Sequence, residues 1–306
     1  MVQQLGRAAF VMATLWIVGC ATPGKESACL LDQTVDTPDG EQLVADCYPG
    51  TGPAIVFVHG WSQSRDVWQH QVEAFAGSNT VITYDLRGHG DSTRPSLPSS
   101  YRGEWTPATD LEAVLSRFAV DEFFLVGWSF GAIVASNATV YLGPDRVKGL
   151  VLVAGAMESG TDRVTQNFGP LFAELAPLTT SGPRDEEMAA VHRFLQDSYL
   201  FGDWPSALYE RVFAANVSLS PLERATVAER PSQTFIEEVN RLNIPVALIH
   251  GEDDPIFSAD SSVQTDAELQ QSILIIYERT GHWPFIEQAS RFNADLKQFV
   301  DEQGRP

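Results

Sequence analysis

Phe123-Phe124-Leu125-Val126-Gly127-Trp128-Ser129-Phe130-Gly131, followed by Ala132-Ile133-Val134-Ala135-Ser136-Asn137, decides how this chain is read. Phe123–Val126 has the apolar, short character of a buried strand, and the residues after Gly131 are spaced as a helix. A serine between two glycines at such a joint is a nucleophile elbow. Small residues two positions on either side of Ser129 let the chain turn sharply from strand to helix, which holds the hydroxyl out of the sheet at the helix N-terminus. The pentapeptide alone is common and also fits a structural turn serine; the strand before it and the helix after it give it meaning.

Outward from this joint the pattern repeats. Ala54–His59, Thr80–Tyr84, Val147–Val153, Val246–His250 and Ser272–Tyr277 read as further buried strands. Helical spacing covers Asp66–Ala76, Pro107–Phe118, Ala132–Leu142, Ser261–Gln270 and Ile286–Val300. Such alternation predicts an α/β fold, a mostly parallel sheet with helices on both faces. It breaks between 158 and 240, where aromatic residues are scattered among acidic, Pro and Gly positions with no strand-like run. That interval is too long for a loop and predicts a helical cap over one end of the sheet. The core is then 28–157 and 241–306.

A serine nucleophile needs a base. Of six histidines, His282 stands five residues after the strand ending at Tyr277, on a loop at the carboxyl edge of the sheet, where Ser129 also lies. His59 and His89 fit loop-shaping roles, His250 fits a packed, hydrogen-bonded histidine ending a strand, and His70 and His192 have no motif around them. The base needs a carboxylate to fix its tautomer. Gly251-Glu252-Asp253-Asp254-Pro255 supplies acids in the chain order Ser, Asp, His; Asp254 is the first choice, Asp253 the alternative, and Glu252 a solvent-loop acid. Negative charge developing on an attacked carbonyl needs main-chain donors. Phe130 N–H, after the nucleophile, and Trp61 N–H, after His59-Gly60, are the expected pair. No ligands stand at metal spacing elsewhere, and this chemistry needs no cofactor.

Composition narrows the partners. Twenty Lys and Arg against 40 Asp and Glu give a formal charge of −20, and the hydrophobic fraction is 44%. The chain can bury a core, which excludes disorder and coiled coil. Its charge repels nucleic acid and anionic lipid surfaces and disfavours anionic substrates, leaving a neutral small molecule as the expected partner.

The first nineteen residues read as an export signal. Ala8–Val18 is an eleven-residue apolar run, too short to cross a bilayer and of the right length for a signal-peptide core. Ile17-Val18-Gly19-Cys20 resembles a bacterial lipobox, which implies lipidation of Cys20 and attachment to the cell envelope, periplasmic or surface-exposed. By the same resemblance, the absence of an acidic residue at Ala21 favours the outer membrane. An ordinary signal peptide is the alternative. Cys29 and Cys47 flank the turn Thr37-Pro38-Asp39-Gly40 between two short strands, Leu31–Val35 and Gln42–Cys47, an arrangement that predicts a disulfide across a hairpin in an oxidising compartment.

In family terms the sequence resembles α/β-hydrolase fold enzymes over almost all of its length after the signal. His59-Gly60-Trp61, Tyr84-Asp85-Leu86-Arg87-Gly88-His89-Gly90-Asp91-Ser92, the Ser129 elbow, Gly251–Pro255 and Gly281-His282 stand in family order. Gly-Trp-Ser and His-Gly-Trp are similar to carboxylesterases that cleave pimeloyl-acyl-carrier methyl ester, and the Tyr84–Ser92 segment to cofactor-free haloperoxidase or perhydrolase esterases. Haloalkane dehalogenases and soluble epoxide hydrolases of this fold use aspartate where Ser129 stands. The resemblance implies a serine hydrolase of carboxylic esters, with Phe168, Phe172, Phe194, Tyr199, Phe201 and Trp204 of the cap expected around an apolar pocket. Hydrolysis of C–C bonds or lactones uses the same triad, and a non-catalytic surface-attached binding protein is the alternative from another class.

Overall fold

The computed structural model describes residues 29–229 and 231–304; the segment expected to be an export signal, with Cys20, lies outside the described residues. Eight strands form the main sheet: β1 (Gln33–Asp36), β2 (Gln42–Tyr48), β3 (Gly50–Val58), β4 (Gly77–Tyr84), β5 (Phe123–Trp128), β6 (Val147–Val153), β9 (Val246–Gly251) and β10 (Ser272–Tyr277). Their order is β1-β2-β4-β3-β5-β6-β9-β10. The neighbours from β4 to β10 pair in parallel, and β2 alone runs against them. After β3 the chain pairs β4 on one side and β5 on the other. This reversal opens a crevice at the carboxyl ends of β3 and β5, the place where open α/β sheets bind ligands.

Strand residues alternate between two cores because successive side chains point to opposite faces. Val56, Val58, Leu125, Leu150 and Leu248 face one core, closed by α2 (Thr106–Arg117) and α3 (Phe130–Leu142). Ile55, Phe57, Val126, Val151 and Ile249 face the other, closed by α1 (Gln69–Phe75) and α12 (Ala289–Gln303), with the short α11 (Pro284–Glu287) before it. The expected strands are found within a few residues of their predicted bounds, and so are the helices, except that the one expected over Ile286–Val300 is divided into α11 and α12 and the one over Asp66–Ala76 opens as a 3-10 turn, Arg65–Trp68, before α1. The helix expected from Ala132 starts at Phe130, because the elbow itself is its N-cap.

Between β6 and β9 lies the helical region expected as a cap: α4 (Asp162–Asn167), α5 (Pro170–Ser181), α6 (Arg184–Ser198), α7 (Ser206–Ser218) and α8 (Pro221–Ala228). Two features differ from expectation. Glu158–Ser159 (β7) and Gln233–Thr234 (β8) pair as an antiparallel ribbon at its neck, strands too short to leave a periodic signal. The boundary at 240 falls too late: α9 (Ile236–Leu242) buries Ile236 and Val239 in the same core as α3, so it belongs with the sheet. Nor is the cap a separate globule. Val191 and Leu195 of α6 and Leu208 and Val212 of α7 join the core around Trp128, Trp283 and Phe285. Helix α10 (Asp260–Glu268) connects β9 to β10.

At the sheet edge, β1 and β2 form the expected hairpin, with Gly40 at φ 88° in the turn. Its first strand starts at Gln33 rather than Leu31. Cys29 and Cys47 are disulfide-bonded, with Cα atoms 4.6 Å apart, and Cys47 N donates to Leu30 O at 3.0 Å. No helix among the described residues is long and apolar enough to cross a membrane.

Candidate active site

Ser129 has φ 54° and ψ −119°, a conformation that costs a non-glycine residue on the order of 1–3 kcal/mol and persists only where its surroundings enforce it. Here they do. Ser129 N donates to Val153 O on β6 at 2.8 Å, and Ala132 N donates to Ser129 O at 2.9 Å. A Cβ on Gly131 would sit 2.4 Å from Val58 O, and one on Gly127 would sit 2.3 Å from Gly131 O. Helix α3 lies too close to β5 at Gly127, and to the end of β3 at Gly131, for a side chain at either glycine.

The loop after β3 abuts this elbow: a Cβ built on Gly60 would lie 3.3 Å from Ser129 Cβ. Trp61 follows and lines the same cavity as Phe130, which opens α3 at the positive end of the helix dipole. His59 fixes the loop's root. It is fully buried, its Nδ1 lies 2.8 Å from Gly60 O, and its Nε2 accepts Leu86 N at 3.0 Å. Burial pushes its imidazole down to about 4, so it is neutral. The tip of the loop is held by the cap. Trp61 Nε1 donates to Arg224 O at 3.0 Å, and Arg224 Nε donates to Ser62 Oγ at 3.1 Å. Buried Arg224 is itself paired with Glu187 at 3.0 Å and donates to Asn216 O at 2.6 Å.

His282 is held as tightly. Gly281 N and Trp283 N, on either side of it, donate to Glu287 Oε1 at 3.0 and 3.1 Å. Leu200 N and Phe201 N of the cap donate to Glu287 Oε2 at 3.1 and 3.2 Å, and His282 N donates to Ser198 O at 3.0 Å. The ring's Nδ1 donates to Asp254 Oδ2 at 2.7 Å. Ser129 and His282 line one cavity, with no hydrogen bond between Ser129 Oγ and His282 among the described residues. Such contacts are often long in a free enzyme and close in the substrate complex.

Asp254 is buried and Asp253 exposed, and it is Asp254 that meets His282. Asp254 Oδ1 accepts Ile256 N at 2.8 Å and Phe257 N at 3.1 Å. Burial pushes its carboxyl up, but the His282 and His250 rings beside it prevail and hold it well below the usual carboxylate range. His250, expected as a packed histidine, bonds the same carboxylate: its Nε2 lies 3.1 Å from Asp254 Oδ2.

The cavity has a volume of about 340 Å³ and is walled mainly by apolar side chains, among them Ile133, Val164 and Phe257. That suits a small ligand. Of the six cap aromatics expected here, Phe168, Phe172 and Phe194 line it. Tyr199 and Trp204 pack instead against the core around Trp283, and Phe201 lies under the Arg279 guanidinium. At one end Glu158 is paired with Arg163. Near Trp61, buried Gln63 Oε1 has no partner among the described residues. Arg224, Glu187, Glu287 and Gln63 were not found from the sequence, where each is one polar residue among many without a motif around it.

A family model described as alpha/beta hydrolase fold matches residues 53–289. The pimeloyl-[acyl-carrier protein] methyl ester esterase of Nitrosomonas europaea is 26% identical over 260 residues, covering 79% of this chain and 94% of that one. The non-heme chloroperoxidase of Streptomyces lividans is 29% identical over 287 residues, covering 87% of this chain and 99% of that one. Among solved structures, the esterase RhEst1 of Rhodococcus sp. ECU1013 is similar with a TM-score of 0.80 and 28% identity, over 88% of this chain and 98% of that chain.

Proposed function

We propose that this chain, which belongs to the α/β-hydrolase fold family, is a serine esterase that cleaves small to medium, neutral carboxylic esters through Ser129, His282 and Asp254. One observation carries the reading. A strained serine lines an apolar cavity shared with an imidazole whose far nitrogen is 2.7 Å from a buried carboxylate. In this reading His282 Nε2 takes the Ser129 proton as Oγ attacks the ester carbonyl carbon. The resulting oxyanion is met by the Trp61 and Phe130 N–H groups, whose like are worth about 2.7–4 kcal/mol each. Collapse breaks the C–O bond, and His282 gives its proton to the departing alcohol. Water then repeats the cycle on the acyl-enzyme and frees the acid.

The esterase relatives support the reaction class, and the negative net charge with an apolar cavity supports a neutral substrate. Lipidation at Cys20 in the cell envelope belongs to the same reading. It would keep the enzyme from cytosolic acyl-carrier thioesters and so separates it from the reaction named for the first relative. The test is initial rates on p-nitrophenyl esters from acetate to palmitate beside the Ser129→Ala protein. Activity that vanishes in the variant is expected, with a chain-length optimum set by the cavity. Equal activity in both proteins, or failure of a fluorophosphonate to label Ser129, overturns the reading.

A further inference from the structure

His250 takes no part in the proton transfers just described, yet it is fully buried and shares an oxygen with the base. Its Nε2 lies 3.1 Å from Asp254 Oδ2 and 2.8 Å from Phe257 O. Both are acceptors, so Nε2 carries a proton directed at them. Its Nδ1 is 2.7 Å from Ser262 Oγ on α10; in the neutral ring that nitrogen accepts the hydroxyl proton. A chain of polar contacts therefore runs from Ser262 through His250 to Asp254 and on to His282, and Asp254 Oδ2 receives two imidazoles at once.

Resting on the triad reading, we infer that His250 is a positioning residue for Asp254, which fixes Oδ2 toward His282 and moderates the negative charge that His282 feels. Geometry supports the first part. The Ile256 and Phe257 amides hold Oδ1, and the His250 donor adds a hold on Oδ2 itself, the oxygen that faces His282. Electrostatics requires the second, because a hydrogen bond to a carboxylate disperses its charge. The groups facing this cluster are Asp254 from the loop after β9, Ser262 from α10, and His282 from the loop after β10. Ser129 stands across the cavity, and Glu287 holds the amides flanking His282. Removing the His250 donor leaves the Asp254 charge less shared. The His282 imidazolium is then held more firmly, and the neutral base is reached only at higher pH.

The experiment is the pH profile of kcat/KM for ester hydrolysis by the full chain, with Ser129→Ala as blank. In His250→Phe the acid limb is expected to move to higher pH by on the order of half a unit, with kcat lowered more than KM is changed. His250→Gln, which keeps a donor, should restore much of the limb's position. Ser262→Ala gives a second reading should the Phe variant not fold. The low-field proton resonance of the His282–Asp254 bond should move further downfield as the competing His250 donor weakens. A merely structural histidine would lower the melting temperature while leaving both the acid limb and this resonance at their wild-type positions, and that result overturns the inference. Activity remaining in Ser129→Ala would instead overturn the triad reading, so the two failures are distinct.

Discussion

The indole Nε1 of Trp61 donates to the main-chain oxygen of Arg224 at 3.0 Å, so the loop carrying one expected oxyanion donor is fastened to the cap as well as to the sheet. Trp61→Phe keeps the aromatic packing against Phe172 and removes this one bond. A neutral hydrogen bond contributes about 1 kcal/mol to stability, so the melting temperature should fall by about 2–4 °C, and kcat on a short p-nitrophenyl ester should fall as the donor loses its hold, by at most about fivefold. Steady-state kinetics with a thermal melt checks this.

Ser129 separates activity from stability. Ser129→Ala should lower turnover by on the order of 10⁴–10⁶ and keep the backbone strain at φ 54°. Ser129→Gly should be equally inactive but melt higher than Ser129→Ala, because glycine adopts this φ without penalty. Calorimetry on the two variants reads the difference directly; a lower melt for the glycine protein would show that the strain is not borne at this residue.

The two adjacent aspartates should differ sharply. Asp254→Asn should reduce kcat by on the order of 10³–10⁴ by disturbing the His282 tautomer, whereas exposed Asp253→Asn should stay within about twofold of wild type. Parallel kinetics on the pair decides the assignment.

Acid should loosen the loop after β3 through His59. Its imidazole is pushed from 6.5 in the unfolded chain down to about 4 by burial. The unfolded state therefore binds the extra proton first as pH falls. Stability from this group is complete above about pH 6.5 and is lost as the pH falls toward 4. Melting temperature against pH should decline over that window, and the decline should be shallower in His59→Gln.

Lipidation at Cys20 is tested by location. Expressed with its signal, the protein should fractionate with membranes, and Cys20→Ala should move it to the soluble or secreted fraction. Unchanged membrane fractionation of the variant would count against the anchor.

The sheet and the loops that carry Ser129, Asp254 and His282 are legible in the sequence because they rest on short-range signals. Buried β-branched runs mark β3, β5, β6 and β9, and the elbow, the Gly251–Pro255 loop and the loop bearing His282 each follow a strand at short distance. The clamps around the site are not, since they join distant stretches. Arg224 meets Ser62 across 162 positions, and Glu287 gathers amides from Leu200 and Phe201, 87 and 86 residues away. The cap boundary drawn at 240 cuts through helix α9, because only a strand-like run marks the return to the sheet in the sequence; the packing of Ile236 and Val239 in the core beside α3 shows where the helix belongs. Tyr199, Phe201 and Trp204 have the same composition as cavity aromatics, and the backbone turns them elsewhere.

The Cys29–Cys47 bond changes how tension enters the molecule. Strand β1 is the outermost strand and is paired on one side only, so a pull on the chain ahead of it would peel its ladder from β2 one rung at a time. With the sulfurs joined, that pull bypasses β1 and the Gly40 turn and arrives at Cys47, whose partner across the ladder is Ile82 of β4. Load is then shared by the interior of the sheet, and a chain tethered at its N-terminal end can be tugged without its outer hairpin unzipping.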